Sequence, residues 1–214
     1  MNKHLLILDL DGVLIDLRHK STGAYYDYDF TMSEGHFVYV RPRTKEFLRF
    51  VFDNFQVAFW SRLSLTQTTR IIDNLVTNEQ MNKIKFILAR ESCVQKGGAY
   101  DATLVFLKNL KMIWMSSVYH AHQTLMIDCK PEENSINPSF TSIHPAPHAY
   151  YNTDDTALSH LQRYLSQLVY VHNIPQFMER RPYQYHTNLL SKIGGVFARA
   201  SGKYRKISVS PQTK

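Results

Sequence analysis

The sequence predicts an α/β fold with a parallel central sheet, and three observations lead to that expectation. Five short apolar runs, at 4–9, 55–60, 84–88, 124–128 and 140–143, are each bounded by polar or turn-forming residues. Continuous apolar runs of this length suit strands buried on both faces, as parallel strands are. Segments with helical spacing lie between them, and strands alternating with helices mark an α/β domain.

Each element follows from its own residues. "HLLILD" (4–9) places Leu5, Leu6, Ile7 and Leu8 in a row. In "RTKEFLRFVFD" (43–53), Phe47, Leu48, Val51 and Phe52 recur at i, i+1, i+4 and i+5, which predicts a helix with one apolar face. "FQVAFW" (55–60) is the second strand. In 64–76, Leu65, Ile71, Ile72 and Leu75 repeat the helical pattern behind threonines able to cap it. "IKFIL" (84–88), "TLMID" (124–128) and "FTSI" (140–143) supply the remaining strands. Across 154–169, Leu158, Leu161, Leu165 and Leu168 form one stripe, with acids at the start where the helix dipole favours them.

Composition narrows the classes. The chain has 214 residues, 44% of them hydrophobic and 13% aromatic, enough for a packed core and too many for a disordered protein. Polar Asn2, Lys3 and His4 do not begin a signal peptide, and no apolar stretch nears the roughly 20 residues that span a bilayer. Two cysteines, Cys93 and Cys129, make no disulfide framework. The expectation is an intracellular protein, cytoplasmic or nuclear.

Charge is placed unevenly. Residues 1–174 carry 17 Lys/Arg and 17 Asp/Glu, whereas 175–214 carry eight Lys/Arg against Glu179 alone. The whole net charge of +7 therefore belongs to the last 40 residues. This change predicts a main domain over 1–172 and a basic appendage over 173–214. Within the appendage, "NLLSKIGGVFARASGKYRK" (188–206) mixes apolar and basic residues. Such a segment suits an anionic membrane surface or an acidic partner, as a peripheral attachment. Gly194 and Gly195 weaken it as a helix, and a plain solubilising tail is an equal alternative. No nucleic-acid module is present, so no nucleic-acid partner is expected.

In parallel sheets the ligand sits beyond the carboxyl ends of the strands. Asp9 and Asp11 follow the first apolar run, Ser61 and Arg62 the second, and Asp128 closes the run at 124–128. Residues two apart on a strand share a face, and adjacent carboxylates repel unless a cation compensates them. Acids meeting a hydroxyl and a lysine there would suit phosphoryl transfer. Asp9 would attack phosphorus, forming an aspartyl-phosphate. Asp11 would protonate the leaving oxygen and later deprotonate water. Mg²⁺ prefers oxygen ligands and takes one or two protein carboxylates with phosphate and waters, so it would neutralise the cluster.

"DLDGV" (9–13) resembles the first motif, DxDx(T/V), of the haloacid dehalogenase-like (HAD) phosphohydrolases. "YVRPRTKEFLRFVFDNFQVAFWS" (39–61), "LKNLKMIW" (107–114) and "TLMIDCKPEENSINP" (124–138) are similar to the FCP/SCP branch of aspartate-based protein phosphatases. Within it they most resemble the ubiquitin-like-domain-containing CTD phosphatases, although the first motif begins too early to leave room for that extra domain. The resemblance covers roughly residues 4–168. It implies a HAD-like Rossmannoid fold with a minimal cap, Asp9 as nucleophile and metal ligand, and Asp11 as acid/base that also lends its backbone carbonyl to Mg²⁺. Ser61 and Lys108 would bind phosphate, and Asp128 would be the fourth-motif acid and a metal ligand.

Three positions depart from that pattern. Cys129 follows Asp128 where the family has Asp-Asp or Asp-Asn, and cysteine is a poor partner for Mg²⁺. Glu132, four residues beyond Asp128, matches a spacing in other HAD enzymes and is expected to compensate. Arg62 replaces a small residue beside Ser61. A cysteine phosphatase is excluded by Ser135 and Ala99 at the sixth position after Cys129 and Cys93. His120, His122, His144 and His148 are irregularly spaced, which suits surface or loop histidines better than a zinc site.

The intervals between motifs bear on substrate. Residues 17–37, with Tyr25, Tyr26, Tyr28 and Phe30, leave room only for a short flap. Between Ser61 and Lys108 there is space for a helix, a strand and a loop. Members acting on small metabolites usually carry a large cap in one of these places, so the resemblance implies an open site suited to a phosphorylated protein. Phosphoserine or phosphothreonine is its default target, with phosphotyrosine an alternative through the aromatic flap. A phosphopeptide-binding module that has lost catalysis through Cys129 is the competing reading.

Overall fold

Strand β1 (Leu5–Leu8) is buried along its whole length and lies at the centre of the molecule. It leads into an antiparallel trio, β2 (Ile15–His19), β3 (Phe30–Met32) and β4 (His36–Val40). Then come α1 (Thr44–Asn54), β5 (Gln56–Trp60), α2 (Leu65–Leu75), the short α3 (Asn78–Met81) and β6 (Ile87–Leu88). An antiparallel pair, β7 (Val94–Lys96) and β8 (Val105–Leu107), precedes α4 (Leu110–Ser116). Strands β9 (Thr124–Ile127) and β10 (Ser142–Ile143) and helices α5 (Ala157–Leu168) and α6 (Ile174–Arg180) complete the order. This computed structural model describes residues 3–22, 27–97 and 104–184.

The main sheet has the order β10-β9-β1-β5-β6, and every pairing is parallel. Strand β1 is its middle, so both of its faces need cover. Leu5 and Ile7 pack with Ala58, Trp60 and Met126 beneath Leu110 and Ile113 of α4. Leu6 and Leu8 face the larger core, filled from α1, α2 and α5. A strand with two covered faces needs apolar residues at every position, hence four in a row. The four-leucine stripe of α5 and the apolar face of α1 are buried as their spacing predicts. Ser64 and Gln67 close a capping box on α2.

Three features differ from the sequence expectation. The flap of residues 17–37 is part of a three-stranded antiparallel sheet, of which Tyr25 and Tyr26 lie outside the described residues. The stretch from Ser61 to Lys108 holds α3 and the β7–β8 pair in addition to a helix and a strand, because each of these needs only three or four residues. The compact unit runs to Tyr183, past the 172/173 boundary read from charge. Ile174 and Met178 of α6 are buried in the main core, and two apolar anchors leave little mark on a charge count. The segment 188–206 lies outside the described residues. Among the described residues no helix is long and apolar enough to cross a membrane, and both cysteines are free.

The loop after β1 is held by a buried cation. Arg41, 2% exposed, donates from Nη1 to the carbonyls of Gly12 and Val13, both at 3.1 Å. Its Nη2 donates to the Ala146 carbonyl at 2.9 Å, and its Nε to Asp155 Oδ2 at 2.9 Å. Asp155 also accepts from the backbone N–H of Ala157, fixing the start of α5. His148 lies in a loop, as expected, but is buried there: it packs against Asp155 at 3.3 Å while its backbone N–H donates to the Gly12 carbonyl.

Arg41→Met leaves the buried Asp155 carboxylate without its cation and is expected to cost about 3–5 kcal/mol in urea unfolding. Burial pushes the Asp155 carboxyl up, but the His148 hydrogen bond and the Arg41 charge outweigh it and bring it to about 2, from 3.8 in the unfolded chain. On acidification the unfolded chain therefore takes up this proton first. The stabilisation from Asp155 is complete above about pH 5 and is lost as the pH falls to about 2. Urea unfolding across that range should show the loss in the parent chain and a smaller loss in Arg41→Met.

Candidate active site

The chemistry-bearing residues gather where β1, β5, β8 and β9 end. At their centre is Lys108, just past β8 and 0% exposed. Its N–H donates to the Glu133 carbonyl at 2.8 Å, and its own carbonyl accepts from Asn137 Nδ2 at 2.7 Å. Its Nζ lies 2.7 Å from Asp128 Oδ2, 3.1 Å from Asp9 Oδ2 and 3.2 Å from Glu133 Oε2. Burial alone would lower the lysine pKa, but the three carboxylates raise it above the usual range and keep the ammonium charged.

The two principal carboxylates are pushed in opposite directions. The Asp9 carboxyl, fully buried, is raised to about 7 by burial and by repulsion from Asp128 and Glu133, against the pull of Lys108. Its Oδ1 accepts from the Leu10 N–H at 2.8 Å, whereas among the described residues Oδ2 has no hydrogen-bond partner. Burial acts on Asp128 as well, but the Lys108 charge overrides it and holds the carboxyl below the usual range. Further donors support the ionised form: Lys130 N–H at 2.8 Å and Asn134 Nδ2 at 2.9 Å. Environments that separate two carboxylates in this way suit distinct roles in one site.

Asp11 stands at the rim. Its Oδ1 accepts from the Leu17 N–H at 3.2 Å, and its Oδ2 lies 3.7 Å from both Arg62 and Lys130. Ser61 is fully buried at the end of β5, the strand paired with β1. Its Oγ accepts from the Leu63 N–H at 3.2 Å, and among the described residues no hydrogen bond joins it to the carboxylates. Asp9, Lys108 and Asp128 thus meet directly, with Asp11 reached through the outer cations.

Glu132 does not compensate for Cys129. It is exposed, and Glu133 is the buried acid on Lys108. Pro131 opens a 3-10 turn over Pro131–Asn134, and at three residues per turn Glu133 comes round to the site. The repeated acid in "KPEEN" marked the place without saying which residue turns inward. Arg41 and Asn134 were also missed: nothing in a single sequence separates a buried arginine or asparagine from an exposed one.

Cys129 Sγ donates to the Asp11 carbonyl at 3.5 Å. Burial and the neighbouring carboxylates push this thiol up to about 12, so it is neutral near pH 7. Gly12 has φ +85°, and a Cβ there would lie 2.4 Å from Cys129 Sγ, so this position needs glycine on both counts. Carboxylate oxygens of Asp9, Asp128 and Glu133 fall within 4.8 Å of one another. With the bare Oδ2 of Asp9 and the Asp11 carbonyl, they form an oxygen-donor set that fits a hard divalent cation. The neutral thiol is a misfit in it, as is the Lys108 ammonium, which already lies 2.7–3.2 Å from an oxygen of each of the three carboxylates.

Known proteins resemble this chain in sequence and in fold. The family described as NLI interacting factor-like phosphatase matches residues 4–175. Ubiquitin-like domain-containing CTD phosphatase 1 of Danio rerio is 30% identical over 175 residues, covering 78% of this chain and 50% of the relative. Its Drosophila melanogaster counterpart is 27% identical, covering 82% and 51%. The chain spans about half the length of these curated relatives. Two solved structures share the fold. The RNA polymerase II CTD phosphatase Fcp1 superposes with a TM-score of 0.56 at 12% identity, over 90% of this chain and 70% of that one. A fission yeast Fcp1 variant bound to beryllium fluoride gives 0.51 at 13%, over 95% and 67%. The match across nearly the whole described domain settles the family: the chain belongs to the NLI interacting factor-like phosphatases.

Proposed function

We propose that the chain is a phosphoprotein phosphatase working through an aspartyl-phosphate on Asp9. The supporting observation is the buried Asp9 carboxylate, with Oδ2 bare of hydrogen bonds and Lys108 at 3.1 Å. In the first step Asp9 Oδ2 bonds to phosphorus while the bond from phosphorus to the side-chain oxygen breaks. Asp11 gives that oxygen its proton. In the second step Asp11 takes a proton from the attacking water, and the bond from phosphorus to Asp9 breaks, releasing inorganic phosphate and restoring both residues. Ser61 Oγ accepts from Leu63 and keeps its own proton to donate to a phosphate oxygen. Lys108 keeps the acid cluster compensated and presents positive charge to the phosphate.

Asp9, the Asp11 carbonyl and Asp128 would hold Mg²⁺, which supplies charge neutralisation of the phosphate when bound. Aromatic pairs on the flap sheet and beside it would suit a peptide substrate. Tyr28 packs on Phe37 with ring centroids 4.8 Å apart, and Tyr39, Tyr150 and Tyr151 form a second run at 5.0 and 5.4 Å. Either phosphoserine/threonine or phosphotyrosine can meet such pairs. The thiol of Cys129 on the Asp11 carbonyl favours a second reading, a phosphopeptide binder without turnover.

Phosphate release from matched phosphotyrosine, phosphoserine and phosphothreonine peptides separates the two readings. A phosphatase shows Mg²⁺-dependent release that EDTA removes and Asp9→Asn abolishes, with Asp11→Asn slower by about 10²–10⁴-fold. Binding without release from any peptide supports the binder. Cys129→Asp exchanges a soft, neutral group for a hard one, so Mg²⁺ should raise the melting temperature of this variant more than that of the parent. Equal shifts would mean that Cys129 lies outside the ion's reach.

A further inference from the structure

Arg62 and Lys130 have no part in that mechanism, yet both face the site. They alternate with Asp11 and Glu133 in a ring. Arg62 Nη2 lies 3.7 Å from Asp11 Oδ2 and its Nε 3.6 Å from Glu133 Oε1. Lys130 Nζ lies 3.7 Å from Asp11 Oδ2 and 3.8 Å from Glu133 Oε1. All four separations exceed hydrogen-bond length, about 2.7–3.2 Å for N–H···O. Among the described residues Lys130 Nζ has no hydrogen-bond partner, and the Arg62 guanidinium reaches its carboxylates only through these two long contacts. Lys108, by contrast, donates to Asp128 at 2.7 Å and lies in ion-pair contact with Asp9 and Glu133 at 3.1 and 3.2 Å. The inner cation is committed; Arg62 keeps donors open to solvent, and Lys130, its Nζ closed off from water, adds its charge behind them.

Their position says what those donors can meet. Asp11 Oδ1 is tied to the Leu17 N–H, which leaves Oδ2 as the oxygen that exchanges protons with the leaving group. Arg62 and Lys130 both lie beside Oδ2, on the leaving-group side of the reaction. There the substrate continues into its own chain. Arg62, with 44% of its side chain exposed, faces outward to meet it.

Resting on the phosphopeptide reading above, we propose that Arg62 and Lys130 form a seat for a second anionic group beside the scissile phosphate. The site thereby selects phosphopeptides with an acidic flank, from either a carboxylate side chain or a second phosphate. The planar fork of Arg62 can take either anion bidentately, exchanging two long contacts for two hydrogen bonds.

Binding to the 214-residue chain carrying Asp9→Asn tests this without turnover. Fluorescent phosphopeptides identical except for the flanking residue (Ala, Lys, Glu or a second phosphoserine) are titrated at low and moderate salt. The Glu and phosphoserine flanks should bind about fivefold or more tighter than Ala, and Lys weaker than Ala. The stronger of the two acidic arms names the source of the anion. Arg62→Ala and Lys130→Ala, each added to Asp9→Asn, should shrink the preference, with Arg62→Lys keeping part of it. Equal affinity across the four flanks overturns the proposal, as does a preference that survives both substitutions. Binding to none of the four removes the phosphopeptide reading itself, an outcome distinct from binding without preference.

Discussion

Lys108 Nζ lies within 3.2 Å of carboxylate oxygens from Asp9, Asp128 and Glu133 and is closed off from water. Three buried acids cannot all stay ionised beside one another without such a partner, and a buried lysine cannot stay charged without them. Each group therefore depends on the others being in place. One ammonium against three carboxylates still leaves the pocket short of positive charge. That deficit is what gives a divalent cation a reason to bind there, and what gives Arg62 and Lys130 a reason to stand at the rim.

Holding these groups together requires segments far apart in the chain to end at one place. The parallel sheet does most of this: β1, β5 and β9 are neighbours, and their ends deliver Asp9, Ser61 and Asp128. Lys108 comes from outside the sheet and is moored by backbone and side-chain bonds to Glu133 and Asn137. The loop carrying Asp11 and Gly12 bridges to Ile15 at the start of β2 and is held further by Arg41. This arginine ties Gly12 and Val13 to Ala146 and, through Asp155, to the first turn of α5. The geometry of the loop that carries Asp11 therefore rests on the buried Arg41–Asp155 ion pair.

Much of this was legible before any coordinates. Uninterrupted short apolar runs suit doubly covered strands, and acids just beyond such strands fall at the ligand-binding edge of a parallel sheet. Asp9, Ser61, Lys108 and Asp128 follow from that reasoning joined to the family resemblance. What escaped was whatever depended on short-range turning. Glu132 and Glu133 are adjacent identical residues, and only the 3-10 turn after Pro131 selects the second. The flap's three strands and the β7–β8 pair are too short to imprint a period. Ile174 and Met178 dock α6 with two side chains, which a change in charge density conceals. His148 is buried because Arg41 and Asp155 gather around it, a tertiary circumstance with no local signature.

The central claim is that Asp9 carries the phosphoryl group during turnover, and covalent trapping addresses it most directly. The chain is mixed with a turned-over phosphopeptide, quenched in acid within the steady state and mapped by mass spectrometry. The account predicts a single phosphate on the peptide containing Asp9, labile to hydroxylamine as an acyl phosphate is. A phosphate on any other residue, or steady phosphate release with no covalent species at Asp9, would contradict it.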